Sequence, residues 1–309
     1  MNLRLPLTVS AFLLAAALPA AAVVVAGTTG NTTAPGDDPG WANIGYCNSA
    51  SAVYLGNRWV LSAYHVNALG NFPVVFGSTA YTVSGPVTRL NNNGASGMSA
   101  QTDLILFRIN ADPGLPSLSI SATAPVLGND LVMIGNGRNR LSSRTFWQVT
   151  LNSGSNNDVW TETTGAHNVE GFKWDGTSAS KRWGTNDAEI LSNVSYGLGD
   201  VRSMITIFDD DPTGRPNEAQ AMVGDSGGGV FFKNGAQWEL SGIMVAAGTF
   251  GNPTFFDNAP ADIAAFGQHA TVVADLSFYR TQILGLMVPE PSAALMLLGG
   301  SALLLRRRR

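Results

Sequence analysis

In the stretch "AMVGDSGGGVFF", residues 221–232, one hydroxyl, Ser226, stands beside one carboxylate, Asp225, among Gly224, Gly227, Gly228 and Gly229. Glycine adopts backbone angles closed to other residues and lets a second molecule approach the main chain, so the pattern describes a hydroxyl held open to a partner. A serine hydroxyl is a poor nucleophile until a base takes its proton. That base in turn needs a third group to fix its tautomer and stabilise its cation. The residues to look for are therefore a histidine and a second carboxylate.

The chain has three histidines. His65 lies in "RWVLSAYHV", at the end of an apolar strand-like run where a turn can aim the ring outward. His167 sits in a polar stretch and His269 in a Gly-Gln-flanked segment, and both are expected at the surface. Asp103 opens "TDLILFRI", a polar-to-apolar junction that would bury one carboxylate at the start of a strand. A lone buried carboxylate is costly and requires a hydrogen-bonding partner, and His65 is the candidate.

"WVLSAYH", "TDLILFRI" and "GDSGG", in that chain order, resemble the three signature segments of the trypsin-like (chymotrypsin-fold) serine proteases, over about Val24 to Leu286. The resemblance implies an endopeptidase that cuts peptide bonds through an acyl-enzyme. His65 would be general base and then acid, Asp103 its orienter and Ser226 the nucleophile. It also implies an oxyanion hole formed by the backbone N–H groups of Gly224 and Ser226. Losing one donor of such a hole costs about 2.7–4 kcal/mol.

Asp225, by the same resemblance, pairs with the N-terminal amine of the mature chain. "VVVAG", residues 23–27, resembles the family's apolar-apolar-Gly-Gly start, with Ala26 in place of the first Gly. Cleavage after Ala22 leaves a terminus one residue longer than the best alignment. Cleavage after Val23 aligns better but offers the peptidase a poorer site. The expectation is that leader removal itself creates the activating amine.

Several positions depart from the family. Val66 follows His65 where a cysteine is usual, and Cys47 is the only cysteine, so no intramolecular disulfide forms and a buried inert thiol is expected. Tyr64 replaces a small residue beside the histidine and is expected to crowd the site. The floor of the specificity pocket is Gln220 rather than Asp, so preference for Lys or Arg is not implied. "SGIMVAAGT" resembles the substrate-binding edge strand and assigns Ala246 and Ala247 to that pocket. These departures keep open a second reading, an inactive homologue that binds at a surface. GDSGG also fits the Gly-x-Ser-x-Gly elbow of α/β-hydrolases, but "GGGVFFKNGAQWELSGIMV" reads as a hairpin around residues 233–235 and not as the helix an elbow requires.

The elements that must position these residues are short. With 35 Gly and 15 Pro in 309 residues, 45% apolar and 13% charged, the chain describes a packed globule broken into brief apolar runs. This predicts an all-β fold of two packed six-stranded antiparallel β-barrels with a short C-terminal helix. The runs "SAVYLG", "RWVLSA", "PVVFG", "AYTVSGPV" and "DLILFRI" belong to the first unit. "NADPGLPSLSISATAP", residues 110–125, reads as a linker. "DLVMIG", "RTFWQVTL", "SMITIF", "GGVFF" and "WELSGIMVAAG" make the second unit, with residues 152–186 as an excursion of loops. Leu276, Tyr279, Ile283 and Met287 fall at helical spacing behind an Asp275 N-cap.

Four segments follow: a signal peptide over 1–22, a first barrel and linker over 23–125, a second barrel over 126–287 and a tail over 288–309. The leader has a cationic start at Arg4, an apolar stretch, and small residues at Ala20 and Ala22. The tail has Pro-Glu-Pro, thirteen mostly apolar positions that are marginal for a bilayer span, and four arginines. It resembles the bacterial PEP-CTERM sorting signal. This implies a signal peptidase and an exosortase-like protease as processing partners, transient inner-membrane anchoring through the tail, and a final place outside the cell or on its surface.

Five of the eighteen basic residues lie in these ends, so the mature body carries −9, or −8 if Glu290 also leaves, against −4 for the whole chain. Nucleic acid is an unsuitable partner for such a body. No cofactor is expected, apart from calcium near Asp209, Asp210 and Asp211, where carboxylates cluster without matching a dedicated loop.

Overall fold

Alternating apolar strands separated by Gly and Asn turns pair with their neighbours in the chain, and this local pairing generates most of the architecture. The computed structural model describes residues 23–27, 30–150, 159–195, 197–208, 217–248, 254–257 and 269–288. The leader, all but the first residue of the tail, and Asp209–Asp211 lie outside the described residues.

The fold is all-β and closes on one C-terminal helix, Leu276–Met287. One antiparallel sheet has seven strands, in the spatial order Thr79–Tyr81, Val74–Phe76, Ile44–Cys47, Ala50–Gly56, Trp59–Ala63, Gln101–Arg108 and Thr88–Asn91. A second seven-stranded antiparallel sheet runs Arg182–Asp187, Asp130–Gly135, Gly229–Asn234, Gln237–Ala247, Ala270–Asp275, Asp200–Ile207 and Ile190–Ser195. Each exceeds the six strands expected, because the first unit breaks at the turn after Phe76 and the second recruits Arg182–Asp187 on its edge. The main core runs between them, with Leu61 and Phe107 from one sheet packed in the same cluster as Phe231 and Leu240 from the other. Burial of such side chains stabilises by about 1.5–3 kcal/mol each, which makes this cluster the chief adhesive between the halves.

The segment 110–125 bonds to both sheets. Leu118 N–H donates to Leu55 O at 3.1 Å, and Ser121 N–H donates to Leu240 O at 3.0 Å. The hairpin predicted around 233–235 is present, with Asn234 opposite Gln237 and Gly235 at φ +61°. Strand therefore follows Ser226, which removes the hydrolase elbow. The helix is capped as expected, the Asp275 carboxylate accepting from Ser277 N–H.

The excursion over 152–186 is not made of loops. Its described part holds strands Val159–Thr163, Val169–Ala179 and Arg182–Asp187. The signal was hidden because the inward positions of the last strand are Arg182, Gly184 and Asn186, so burial alternates without hydrophobicity alternating. Among the described residues no helix is long and apolar enough to cross a membrane.

Candidate active site

The first sheet delivers His65 and Asp103. Strand Trp59–Ala63 pairs with Gln101–Arg108, placing Ala63 opposite Leu104. A one-turn helix, Tyr64–Asn67, begins where the first of these strands ends, and this turns His65 out of the sheet and across Asp103. His65 Nδ1 lies 2.7 Å from Asp103 Oδ2, and the His65 backbone N–H donates to Oδ1 at 3.0 Å. Asp103 is fully buried whereas the His65 side chain is about 30% exposed. A bond from Nδ1–H to the carboxylate fixes the tautomer that leaves Nε2 able to accept a proton.

The second sheet delivers the glycine-rich loop. Asp225 N–H donates to Met222 O at 2.9 Å, closing a four-residue turn whose third position, Gly224, has φ +98°, the value a type II turn reserves for glycine. A side chain there would also meet Ser49 O at 2.9 Å and Gly137 Cα at 3.0 Å. Gly227, at φ +85°, packs so closely on Ser51 O that no Cβ fits. The N–H groups of Asp225, Gly227 and Gly228 bind Met222 O, Met244 O and Asp225 O. Those of Gly224 and Ser226 have no acceptor among the described residues.

His65, Gly224 and Ser226 line one cavity of about 430 Å³, together with Met222, Met244, Ala246 and Ala247. The two sheets meet behind it through Ser51, which no sequence pattern marked. Ser51 N–H donates to Ser226 O at 2.9 Å, while its hydroxyl donates to Gly224 O at 3.0 Å and accepts from Asn136 N–H at 2.8 Å. One serine of the first sheet thus fixes the turn that holds Gly224 and Ser226.

Asp225 points away from the cavity into the protein. Its carboxylate accepts from Met222 N–H at 2.7 Å, Gly137 N–H at 2.8 Å and Val23 N at 3.2 and 3.4 Å. Burial pushes its pKa up to about 7 against these hydrogen bonds. Val23, and not the better-aligned Val24, reaches it. Val24 instead pairs with Gln220, and Val25 with Ala219, in a two-stranded sheet. Val23 to Ala26 are buried, and Arg140 clamps the segment by donating to Val25 O and Ala26 O.

Three expectations are corrected. Tyr64 does not crowd the cavity, because its ring lies beneath the Arg89 guanidinium at 3.7 Å, outside the lining. Gln220 does not floor the cavity directly. It is fully buried behind the lining, its amide donating to Gly248 O at 2.6 Å and to Ala270 O at 3.4 Å. His269 is buried and not on the surface, because its carbonyl accepts Phe208 N–H where the chain enters strand Ala270–Asp275.

His167 is exposed, as expected. Cys47 is fully buried, and burial pushes its thiol up to about 12. Among the described residues no group of three or more His, Cys, Asp and Glu side chains could hold a metal ion.

No protein-family model matches the chain, and no curated protein matches it. Solved structures do. Mouse neuropsin, a serine protease expressed in the limbic system, aligns at 14% identity and TM-score 0.44, over 84% of this chain and 99% of its own. The inactive form of the Rv3671c protease of M. tuberculosis aligns at 14% identity and TM-score 0.44, over 79% of this chain and 88% of that one. The HtrA-type protease AlgW with decapeptide aligns at 16% identity and TM-score 0.40, over 75% of this chain and 50% of that one.

Proposed function

We propose that this chain is a serine endopeptidase in which Ser226 is the nucleophile, His65 the general base and acid, and Asp103 the residue that orients His65. The observation that carries the reading is the doubly anchored His65–Asp103 pair, through ring and backbone, opening on the cavity that Ser226 also lines. His65 Nε2 takes the proton as Ser226 Oγ attacks the substrate carbonyl. The resulting oxyanion is met by the Gly224 and Ser226 N–H groups, and His65 then gives its proton to the leaving amine. Water repeats the sequence on the acyl-enzyme and returns Ser226. The wall formed by Met222, Met244, Ala246 and Ala247 carries no charge, and it suits an apolar side chain at the residue preceding the cut.

The mature enzyme begins at Val23. In the uncut chain Val23 holds φ +34°, a conformation a β-branched residue rarely adopts, with a neutral amide against the Asp225 carboxylate. Cutting the Ala22–Val23 bond removes that φ constraint and replaces the amide with an ammonium ion facing a buried carboxylate. The cut falls at the small-residue site of the leader, so export and activation are one event. The tail then sorts the enzyme to the cell surface or beyond.

Fluorophosphonate labelling of the purified mature protein tests the reading, with Ser226→Ala and His65→Ala as comparisons. Labelling at Ser226 that depends on His65 supports an activated serine. A folded, correctly processed protein that stays unlabelled favours the alternative, an inactive homologue kept for binding. Edman sequencing of the labelled protein is expected to begin at Val23.

A further inference from the structure

His65 is presented by a helix of four residues, Tyr64–Asn67, that cannot hold itself. One turn is too short to be stable alone, and Ala63 at its N-cap offers no side-chain acceptor. No intramolecular disulfide ties it down, since Cys47 is the only cysteine of the chain. The first residue of that helix, Tyr64, lies with its ring under the guanidinium of Arg89, 3.7 Å from Cζ to the ring centroid. Arg89 belongs to strand Thr88–Asn91 and stands opposite Ile105 of the strand that carries Asp103. Its Nε–H donates to Thr102 O at 2.8 Å and its Nη1–H to Gln101 Oε1 at 3.1 Å, while Nη2–H donates to Leu198 O. Gly199 keeps space for this fork, because a Cβ there would come within 3.1 Å of Arg89 Nη2 and closer still to Gln101 O.

One guanidinium thus touches the residue before His65 with its face and the residue before Asp103 with its edge. We propose that Arg89 and Tyr64 are positioning residues, a clamp that holds the His65 turn against the start of the Asp103 strand. Its effect on rate rests on the peptidase reading of the same site, whereas its effect on the geometry of the pair does not. A guanidinium suits both contacts, because its planar, delocalised cation stacks on an aromatic ring while its N–H groups donate in the plane. An ammonium has no such plane. Neither Arg89 nor Tyr64 lines the cavity shared by His65 and Ser226. The clamp therefore acts on the chemical step at Ser226 and not on the binding of what enters the cavity.

The test compares Tyr64→Phe, Tyr64→Leu, Arg89→Lys and Arg89→Gln with wild type as purified mature protein, recording Tm for each. One readout is the proton NMR signal of the His65 Nδ1–H that bonds to Asp103. The other is fluorophosphonate labelling of Ser226, followed as a limiting rate and a half-saturating probe concentration. Tyr64→Phe keeps the aromatic face and is expected to stay within about twofold of wild type, with the His65 signal in place. Tyr64→Leu and Arg89→Gln are expected to slow the limiting rate about 30-fold and to shift or broaden the His65 signal. The half-saturating concentration should change by less than about twofold. Arg89→Lys keeps the charge but not the plane, and it is expected to follow Arg89→Gln. Combining Tyr64→Leu with Arg89→Gln should be no slower than the slower single variant, as for two parts of one clamp. A Tyr64→Leu protein that loses Tm but keeps the wild-type His65 signal and labelling rate overturns the proposal. So does a Tyr64→Phe protein as impaired as Tyr64→Leu. Wild type that stays unlabelled defeats the peptidase reading, and the His65 signal then decides the clamp by itself.

Discussion

His65 and Asp103 are brought together by neighbouring strands of one sheet and the one-turn helix that follows the first, and two hydrogen bonds join them over a sequence separation of 38 residues. Ser226 and Gly224 are held differently. Their loop is fixed by Ser51 across the sheet interface, by Gly137 in the connection between strands Asp130–Gly135 and Arg138–Arg140, and by Val23, over sequence separations of 173, 88 and 202 residues. The half of the cleft that holds His65 is local. The half that holds Ser226 is tied to distant parts of the chain, and under the proposed function one of those ties, Val23, becomes a free end on processing.

The largest expected effect comes from the local half. Asp103→Asn keeps the shape of the pair but takes away the carboxylate that fixes the His65 tautomer, and kcat is expected to fall about 10⁴-fold. Ordered folding should survive, so the near-ultraviolet circular dichroism of the variant should match wild type. A fall of less than tenfold would mean that Asp103 is not the orienter.

The second expectation sharpens the contrast. A recombinant form with two residues added ahead of Val23 retains the His65–Asp103 pair but has an amide where the mature chain has an ammonium ion. Fluorophosphonate labelling of Ser226 is expected to slow by about 10²-fold or more, the scale of losing an oxyanion donor. Equal labelling of the two forms would show that the loop is held without the terminal charge.

The same pair of forms should differ in how stability responds to pH. In the extended form burial raises the Asp225 pKa to about 7 from 3.8, so the folded state keeps a proton that the unfolded state releases. Between those two values the folded chain binds more protons than the unfolded one. Stability therefore falls as pH rises through that window and changes no further from this source above it. In the mature form the opposing ammonium favours the carboxylate and flattens the slope. The extended form is expected to lose about 5 °C more in Tm than the mature form between pH 4.5 and 8, measured by scanning calorimetry. Parallel pH profiles would remove the ion pair from the account.

What could be foreseen from residues follows the same division. His65, Asp103 and the Gly224 turn were legible because each sits in a short motif whose chemistry needs no knowledge of distant parts. The contact of Asp225 with the 23–27 segment was legible only through resemblance, and that it falls on Val23 required the pairing of Val24 with Gln220. Ser51 carried no signal, since one polar residue in a strand has the same pattern whether it faces solvent or joins two sheets. Strand Arg182–Asp187 was missed for a related reason: Arg182, Gly184 and Asn186 occupy its inward positions, so hydrophobic periodicity was silent where the backbone was regular. His269 was misplaced because its flanking residues read as a turn, whereas the burial comes from the strand it enters.

Ser51→Ala probes the seam between the two halves with the smallest change. The Ser51 backbone N–H still reaches Ser226 O, but the buried Asn136 N–H loses its acceptor and Gly224 O loses its donor. Leaving such groups unsatisfied costs about 1–3 kcal/mol, which urea unfolding would register as a lower midpoint at constant m-value. Because Gly224 is one of the two groups bonded to that hydroxyl, the turn is expected to shift and Ser226 labelling to slow by about tenfold. The imidazole proton shifts of His65 should meanwhile stay as in wild type, since its ring and backbone N–H both bond to Asp103. A variant that lost stability while labelling at the wild-type rate would place Ser51 in the scaffold alone. A variant that altered the His65 signals would show that the base and nucleophile halves are coupled through the sheet and not only through the substrate.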